Sequence, residues 1–341
     1  MKQYGQIFRP NRLPRQLAMV VPIAVTALVA SACGGGGGGG ASTVGSGGGS
    51  GSSSGLQTIN VGLVPTTDTA PLYAGIQKGF FAEQGIQVQP TQVDSGGTVL
   101  TGVVQGSYDI AFIAAVPAIV AASKGLPLVA IAGNGSINTG SPGNIAIVVK
   151  KDSPINSYAG LAGKTVSVNS LGNTLDLCTR AAMSKAGADP SAAKIIELPF
   201  SQVAPSLVQG QIDAGALVDP FRTQVLGVGD LRSIGDPCQS LPDKAPVSTY
   251  IASKQTVTNK ADLMQRFERA VQKSQDFLNN NPGEFAKIVP TFTKITPEIA
   301  QKIPQNAFSS QIDRNAYLQQ NDLMLKQGLI SSTEKLQGFL P

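Results

Sequence analysis

From Leu56 onward, short apolar runs alternate with longer segments whose apolar residues recur at helical spacing. Each predicted helix of this first part is followed by a glycine, the residue that most readily ends a helix. The predicted strands are Ile59–Val64, Ile86–Gln92, Asp109–Ala114 and Pro127–Ala132. The predicted helices are Ala74–Gln84, Thr98–Gln105 and Pro117–Lys124. This order predicts a parallel or mixed sheet that carries helices on both faces.

The same order then starts again. The second set of predicted strands is Ile145–Lys150, Thr165–Asn169, Lys194–Leu198 and Ala214–Val218. Helices are predicted over Thr174–Ala186, Gln202–Gln209 and Phe221–Leu226. The segment V-V-Q-G-S-Y-D-I-A-F (Val103–Phe112) has a counterpart 104 positions later in L-V-Q-G-Q-I-D-A-G (Leu207–Gly215). The pattern therefore predicts two matching α/β lobes.

The tail is predicted to be helical, over Asn259–Asn279, from Thr296-Pro297-Glu298 onward, and over Arg314–Lys326. Such a tail typically covers one lobe. The predicted organisation assigns 56–142 to the first part of lobe 1 and 143–249 to lobe 2. Residues 250–341 return to lobe 1 and add the C-terminal helices.

The N-terminus has the pattern of a secretory signal. A basic segment precedes the apolar run Leu17–Ala30, and small residues stand before Cys33. This resembles the bacterial lipoprotein signal, which implies cleavage after residue 32 and a lipid anchor on Cys33, although Ala30 stands where that signal usually has leucine. The alternative is an uncleaved membrane anchor, but Pro22 interrupts a run shorter than a spanning helix needs. Residues 33–55 are nearly all Gly and Ser and are expected to be a disordered tether.

Charge excludes one class of partner. Four basic residues and no acidic residue lie within the first 32 positions, so the rest of the chain has a formal charge of +1. No basic block remains to neutralise phosphates, so we expect no nucleic-acid binding. The chain has no histidine. Nucleophilic sites that pair Ser or Cys with His are therefore excluded, and no metal site or cofactor is expected.

Two cysteines remain in the body, Cys178 and Cys238. An even pair in an extracytoplasmic protein favours a disulfide, with two buried thiols as the alternative. Two acids, Asp109 and Asp213, occupy equivalent places before strands of the two lobes. They are interpreted as structural, at the strand ends that point away from any ligand.

Ligands of open α/β sheets bind beyond the carboxyl ends of the strands. Two such lobes facing each other predict a cleft lined by strand-to-helix loops, with helix N-termini that attract anions. Ser170–Thr174 is the best candidate loop of this kind. For the acids the alternative is an ordinary capping or turn role. The candidate ligand-binding residues are Thr66, Thr67, Asp68, Tyr73, Ser95, Gly96, Gly97, Ala115, Asn134, Ser170, Asn173, Thr174, Asp219, Phe221 and Arg222.

Several motifs resemble, in order, those of the NMT1/THI5-like family, which includes nitrate-, sulfonate-, taurine- and thiamine-precursor-binding proteins. They are A-G-I-Q-K-G-F-F-A-E-Q-G-I-Q-V (Ala74–Val88), V-V-Q-G-S-Y-D-I-A-F, L-A-G-K-T-V (Leu161–Val166), L-V-Q-G-Q-I-D-A-G and V-D-P-F (Val218–Phe221). The resemblance implies a type II periplasmic-binding-protein fold, with two α/β lobes around a central cleft. It also implies delivery of a small solute to an ABC permease and its ATPase. We expect a monomer that is not an enzyme and that the N-terminal signal anchors to the membrane.

The class of ligand stays open at the level of sequence. Arg222 and the helix N-termini would suit a sulfonate, nitrate or carboxylate. Asp219 beside Phe221 would instead suit an amine or a nitrogen heterocycle. A sensor or an enzyme on the same scaffold is the alternative to transport.

Overall fold

The strands form two five-stranded sheets in a computed structural model that describes residues 55–140 and 143–341. The strands are β1 (Gln57–Leu63), β2 (Ile86–Gln92), β3 (Ile110–Ala114), β4 (Leu128–Ser136), β5 (Ile145–Lys150), β6 (Thr165–Val168), β7 (Lys194–Glu197), β8 (Ala214–Val218), β9 (Leu231–Gly235) and β10 (Pro246–Ser253). The helices are α1 (Ala70–Gln77), α2 (Phe80–Glu83), α3 (Gly96–Val104), α4 (Ala115–Ser123), α5 (Thr174–Lys185), α6 (Phe200–Val208), α7 (Phe221–Gly227), α8 (Lys254–Asn259), α9 (Ala261–Asn280), α10 (Pro282–Ile288), α11 (Pro297–Ala300) and α12 (Arg314–Lys326).

The two sheets match strand for strand. The first has the order β2-β1-β3-β10-β4 and the second β7-β6-β8-β5-β9. The neighbours β1, β2 and β3 are parallel, as are β6, β7 and β8, whereas β10 and β5 run antiparallel to their neighbours. Even the register agrees, since Val61 lies beside Ile110 and Val166 beside Ala214. The predicted repeat of two α/β lobes is confirmed.

The chain passes between the lobes twice, after β4 and after β9. The two crossing segments are hydrogen bonded to each other, because Ile137 N donates to Ala245 O at 2.9 Å and Lys244 N donates to Ile137 O at 2.8 Å. Gly140 N also donates to the Gln239 side chain at 2.9 Å. We call these paired crossing segments the hinge, because they connect the two lobes.

Two strands, β9 and β10, were not predicted from the sequence. Strand β10 lies between β3 and β4, so the return to the first lobe begins at Pro246, ahead of the expected position 250. Its polar residues explain the miss. Ser248 and Thr249 are buried, and Thr249 Oγ1 donates to Ala132 O at 2.9 Å. A buried strand whose polar side chains are satisfied in this way lacks the apolar run that identifies a strand in sequence.

The helix predicted over Ala74–Gln84 is two helices in the structure. It begins earlier, at Ala70, and is interrupted at Gly79, whose φ of +77° lies in the left-handed region. The turn lets the short helix α2 place Phe81 in the core against Phe267 of α9, with ring centroids 5.3 Å apart. The apolar face predicted for the long tail helix is buried in α9.

A disulfide fixes the returning crossover to the second lobe. The sulfur atoms of Cys178 in α5 and Cys238 are bonded, with a Cα–Cα distance of 4.6 Å, and both residues are fully buried. Cys238 lies in the one-turn helix Pro237–Ser240, just before the hinge segment leads into β10. The disulfide therefore links this end of the crossover covalently to α5.

The N-terminal predictions fall on residues that the structure does not describe. The signal peptide 1–32, Cys33 and the tether up to residue 54 lie outside the described residues. Among the helices that are described, none combines the length and the hydropathy that a membrane crossing would require.

Candidate functional site

Loops at the carboxyl ends of β1 and β8 meet between the two lobes. The loop after β1 brings Thr67 and Asp68, and the loop after β8 brings Asp219 and Arg222. Thr67 Oγ1 donates to the backbone oxygen of Asp219 at 3.5 Å. We call the group that meets here the seam network. Its members are Thr67, Asp68, Asn144, Asp219, Arg222, Asp236 and Asn306.

Asp68 stands at the centre of the seam network. Its Oδ1 accepts hydrogen bonds from Asn144 Nδ2 of the other lobe at 3.0 Å and from Asn306 Nδ2 at 3.4 Å. Both donors are neutral amides. Burial raises the pKa of Asp68 to about 6, the two amides partly oppose this, and the nearby charge of Asp219 adds to it. Among the described residues, no cation is paired with the buried Asp68 carboxylate.

Asp219, at the end of β8, is fully buried but has a cation beside it. Arg222 Nη2 lies 2.9 Å from Asp219 Oδ2, and Thr223 N donates to Oδ1 at 2.9 Å. Burial raises the pKa of Asp219, and Arg222 and Thr223 offset part of that rise. The other end of the guanidinium is also engaged, because Nη1 donates to Gly143 O at 2.6 Å. The peptide bond between Asp219 and Pro220 is cis.

Asp236 is a third acid, half-buried and placed on the returning crossover. Its carboxylate accepts from Cys238 N at 2.9 Å, and burial raises its pKa to about 6. The neighbouring crossover approaches it so closely that a Cβ at Gly143 would lie 1.9 Å from Asp236 Oδ2. A side chain at position 143 would therefore displace the Asp236 carboxylate. The seam network holds three carboxylates and one guanidinium.

A second polar layer supports the network from inside the first lobe. Asn134 Nδ2 donates to Asp68 O at 2.9 Å and to Ser248 Oγ at 3.2 Å. Gln275 of α9 donates to Asn134 Oδ1 at 3.2 Å. The hydroxyl of Tyr250 is fully buried and has no hydrogen-bond partner within the described chain. Burial, and then the charge of Asp68, raise the pKa of Tyr250.

Few hydrogen bonds between described residues cross the seam, and their donors are uncharged. Three of them join Thr67 or Asp68 to Asn144 or Asp219, and a fourth joins Gln327 to Ser184 at 3.3 Å. All salt bridges between described residues stay within one lobe. Separating the lobes at this place therefore breaks no ion pair.

The loop Ser170–Thr174 already binds an anion of its own chain. Gly172 N donates to Asp176 Oδ2 at 2.8 Å, and Arg180 Nε lies 2.7 Å from Asp176 Oδ1. Asn173 caps α5 by accepting from Asp176 N at 3.1 Å. The hydroxyl of Thr174 is buried and has no partner among the residues described. The capping interpretation thus describes most of this loop, and the structure leaves Ser170 apart from the seam network.

Other predicted site residues lie elsewhere in the first lobe. Ser95 caps α3 by accepting from Thr98 N at 3.2 Å. Ser95 and Gly97 border a shallow groove of about 550 Å³ along α3, lined by first-lobe residues. Gly96 follows the cap in the first turn, and Ala115 is buried at the start of α4. Thr66 keeps its extended conformation and accepts from Thr69 Oγ1 at 2.7 Å.

The two predicted aromatic contacts pack within the lobes. Tyr73 stacks on Phe292 with centroids 4.2 Å apart, and its hydroxyl accepts from Gln92 Nε2 at 2.9 Å. Phe221 packs against Phe200 at 5.1 Å in the core of the second lobe. Neither ring belongs to the seam network.

Sequence reasoning found Thr67, Asp68, Asp219 and Arg222, with Asn134 behind them, but missed four participants. Asn144, Asp236, Tyr250 and Asn306 come from the two crossovers, from the unpredicted β10 and from the tail. Gly143, which precedes Asn144, was the sequence signal available for a close approach of the two crossovers. Within residues 55–140 and 143–341 no group of three or more acids or cysteines is arranged to hold a metal ion.

The chain is similar in sequence to a known protein family. A family model described as NMT1/THI5 like matches residues 66–285. A protein of Brucella abortus (strain 2308), whose name says only that it is a binding protein, is 25% identical over 223 residues. That match covers 64% of this chain and 66% of the relative, just under two thirds of its length.

Two solved structures show the same fold at low sequence identity. The alkanesulfonate-binding protein SsuA from Xanthomonas axonopodis pv. citri, bound to MOPS, superposes with a TM-score of 0.70 at 17% identity over 83% of this chain and 98% of its own. The ligand-binding component of an ABC-type import system from Staphylococcus aureus, with zinc bound, gives 0.70 at 14% identity, covering 82% and 95%. The predicted periplasmic-binding-protein fold is confirmed.

Proposed function

Because the chain belongs to the NMT1/THI5-like family, we propose that it is the extracytoplasmic solute-binding protein of an ABC importer. It captures a small solute between its two lobes and hands it, unaltered, to a permease driven by an ATPase. We propose that it works as a monomer and as a carrier, not as an enzyme.

The observation that carries this proposal is the seam network. Two lobes of matching topology place the loops after β1 and β8 against each other, and the paired crossovers form a hinge on one side. Buried charges with raised pKa values, as in Asp68, concentrate at functional sites in proteins. A hinged pair of lobes with such groups at the seam is suited to enclosing a ligand.

We further propose that the protein is held outside the cytoplasm by a lipid on Cys33, with the Gly- and Ser-rich segment 33–55 as tether. The sequence of the first 33 residues supports this. Replacing Cys33 with serine should move the mature protein from the membrane fraction to the soluble extracytoplasmic fraction. Retention of the C33S variant in the membrane would indicate an uncleaved helix instead.

A thermal-shift screen of the purified body, residues 56–341, tests the binding function. A solute that binds the native state alone raises the unfolding midpoint with its concentration. Alkanesulfonates, nitrate, amines and nitrogen heterocycles form the panel. Each compound that shifts the midpoint is then recovered and weighed by mass spectrometry.

We expect at least one class to raise the midpoint and to be recovered unchanged. A product of altered mass would show an enzyme on this scaffold and overturn the carrier function. A panel that never shifts the midpoint would contradict solute binding itself.

A further inference from the structure

We propose that the solute carries a protonated nitrogen, as in an amine or amidine, and that the Asp68 carboxylate binds this cation at the seam. The inference rests on the proposed function and names the ligand class of that same site. Five observations support it, and the first is the balance of charge.

Asp219 is paired with Arg222, whose charge also acts on Asp236, and Asp68 is influenced by the charge of Asp219 and accepts from Asn144. Among the contacts of the described residues, Arg222 is the cation that reaches this network. With the acids ionised, the cluster carries an excess of negative charge in a buried place. A bound cation offsets that excess, whereas an anion adds to it.

The second observation is the state of Arg222. Nη2 lies beside Asp219 Oδ2 at 2.9 Å and Nη1 donates to Gly143 O at 2.6 Å. Its Nε is unpaired among the described residues but is fully buried. A sulfonate or nitrate is best bound by a guanidinium that presents two parallel N–H groups. Here Nη1 is hydrogen bonded to Gly143 O, and the charge of the guanidinium is offset by the Asp219 carboxylate beside Nη2.

The third observation is the free side of Asp68. Both amide donors, Asn144 and Asn306, bind Oδ1. Within the described chain, no donor is hydrogen bonded to Oδ2. A carboxylate accepts through both of its oxygens, so Oδ2 is available to an N–H group of a ligand.

The fourth observation is the hydroxyl of Tyr250, which is fully buried and lacks a hydrogen-bond partner in the described chain. Tyr250 follows Ser248 by two positions in β10, and Ser248 accepts from the Asn134 amide that also donates to Asp68 O. The charge of Asp68 raises the pKa of Tyr250 further. Buried polar groups are nearly always paired. A ligand in this place would offer the hydroxyl a partner.

The fifth observation is that the contacts closing the seam are weak. Asn144 and Thr67 bridge the lobes through hydrogen bonds of 3.0 to 3.5 Å from uncharged donors. The Asn144 amide donates to the Asp68 carboxylate, and exchanging it for a cationic N–H donor would make both partners of that bond charged. A ligand cation therefore binds Asp68 more strongly than the amide does.

The experiment compares matched pairs that differ in charge, namely n-butylamine with butane-1-sulfonate and benzylamine with phenylmethanesulfonate. Binding to residues 56–341 is measured by calorimetry and thermal shift at pH 7 and pH 5. The probe amines stay protonated at both values, so a change in affinity reports on the protein. The titratable groups of this cluster besides Asp68 are Asp219, paired with Arg222, Asp236 and Tyr250, whereas Asn144 and Asn306 do not titrate. Asp236, whose pKa is also raised to about 6, titrates over the same range, so the Asp68→Asn variant is needed to assign the pH effect.

We expect the amines to bind and the sulfonates to bind at least tenfold more weakly at pH 7. Because the pKa of Asp68 is about 6, its ionised fraction falls about tenfold between pH 7 and pH 5. Amine affinity should fall by about the same factor. Asp68→Asn should abolish amine binding, and Asp109→Asn, a carboxylate at the far end of the first sheet, should keep it.

Circular dichroism confirms that each variant is folded before binding is compared. Sulfonates that bind while amines do not would overturn the cation inference and leave solute binding intact. Amine binding that survives in Asp68→Asn would overturn the role of Asp68. If neither the amines nor the sulfonates bind, the cation inference is wrong. If, in addition, no compound of the thermal-shift panel raises the midpoint, the proposed solute-binding function is wrong as well.

Discussion

The two lobes agree at one end of their sheets and differ at the other. At the amino ends, Asp109 Oδ2 accepts from Asn60 N at 2.9 Å and Asp213 Oδ2 accepts from Thr165 N at 2.8 Å. The two contacts are equivalent in the repeat and tie the same pair of strands together. The predicted structural role of both acids at the ends away from the seam agrees with these contacts.

At the carboxyl ends the lobes diverge. After β6, the acid of the loop, Asp176, is paired with Arg180 and with a backbone amide. After β1, the acid Asp68 is buried with only neutral amide donors. Repeated features thus hold the fold, and the unrepeated, uncompensated acid marks the place where function is expected.

The largest expected effect concerns the disulfide, which belongs to the second lobe. Cross-linking positions 178 and 238 closes a loop of 60 residues, which contributes about 4 kcal/mol in the chain-entropy model. The double variant Cys178→Ala/Cys238→Ala should lower the free energy of unfolding by about that amount. Hydrogen exchange read by mass spectrometry should show the loss of protection mainly in residues 144–235, with the first lobe as internal control. Equal loss in both lobes would contradict this assignment.

Replacing Asp68 should stabilise the protein at neutral pH. Its pKa is raised from 3.8 to about 6 in the fold, so the folded state holds the proton more tightly than the unfolded chain. Stability from this group is present at low pH and falls as pH rises from about 4 to about 6. Asp68→Asn should therefore gain about 2–3 kcal/mol at pH 8 and almost nothing at pH 4, measured by urea unfolding.

The matched control lies at the equivalent end of the second lobe. Asp176→Asn should lower stability at pH 8, because it removes the carboxylate that pairs with Arg180 at 2.7 Å. Opposite signs for the two variants would sharpen the contrast between the lobes. A loss of stability at pH 8 in both would break it.

The repeated acids should behave alike. Asp213→Ala and Asp109→Ala each remove a carboxylate that accepts a strand N–H, so each should cost about 1 kcal/mol. Affinity of the folded fraction for its solute should stay unchanged, as thermal melts and calorimetry can check. A pure affinity loss would place these residues at the binding site.

The smallest effect separates Asp109 from Asp213. Of these two acids, Asp109 alone forms a salt bridge with a described residue, to Lys260 Nζ at 2.6 Å. The lysine is largely exposed, and exposed pairs contribute about 0–1 kcal/mol. Lys260→Ala should therefore lower the midpoint by little, and less still in high salt. A loss as large as that of Asp109→Ala would show that this pair is the main interaction.

The repeat could be predicted from the sequence because it depends on two local signals. These are the glycines that end helices and the acids before β3 and β8, which recur with a fixed offset, and the topology confirms the equivalence. The seam network was only half predictable. Asp68 and Asp219 follow predicted strands, but Asn306 comes 238 positions after Asp68 and joins it only through the folded tail. Contacts of that separation leave no periodic trace in a sequence.

Strand β10 illustrates the same limit and sets the order in which the lobes are completed. It is hydrogen bonded to both β3 and β4, yet the chain reaches it only after the whole second lobe. During synthesis, residues 144–235 are therefore available as one uninterrupted stretch while the first sheet still lacks its inner strand. The first lobe is finished last, by Pro246–Ser253 and by a terminus whose Phe339 carbonyl accepts from Ala130 N at 2.7 Å. A chain halted before residue 246 therefore contains every strand of the second sheet but lacks the strand that joins β3 to β4 in the first.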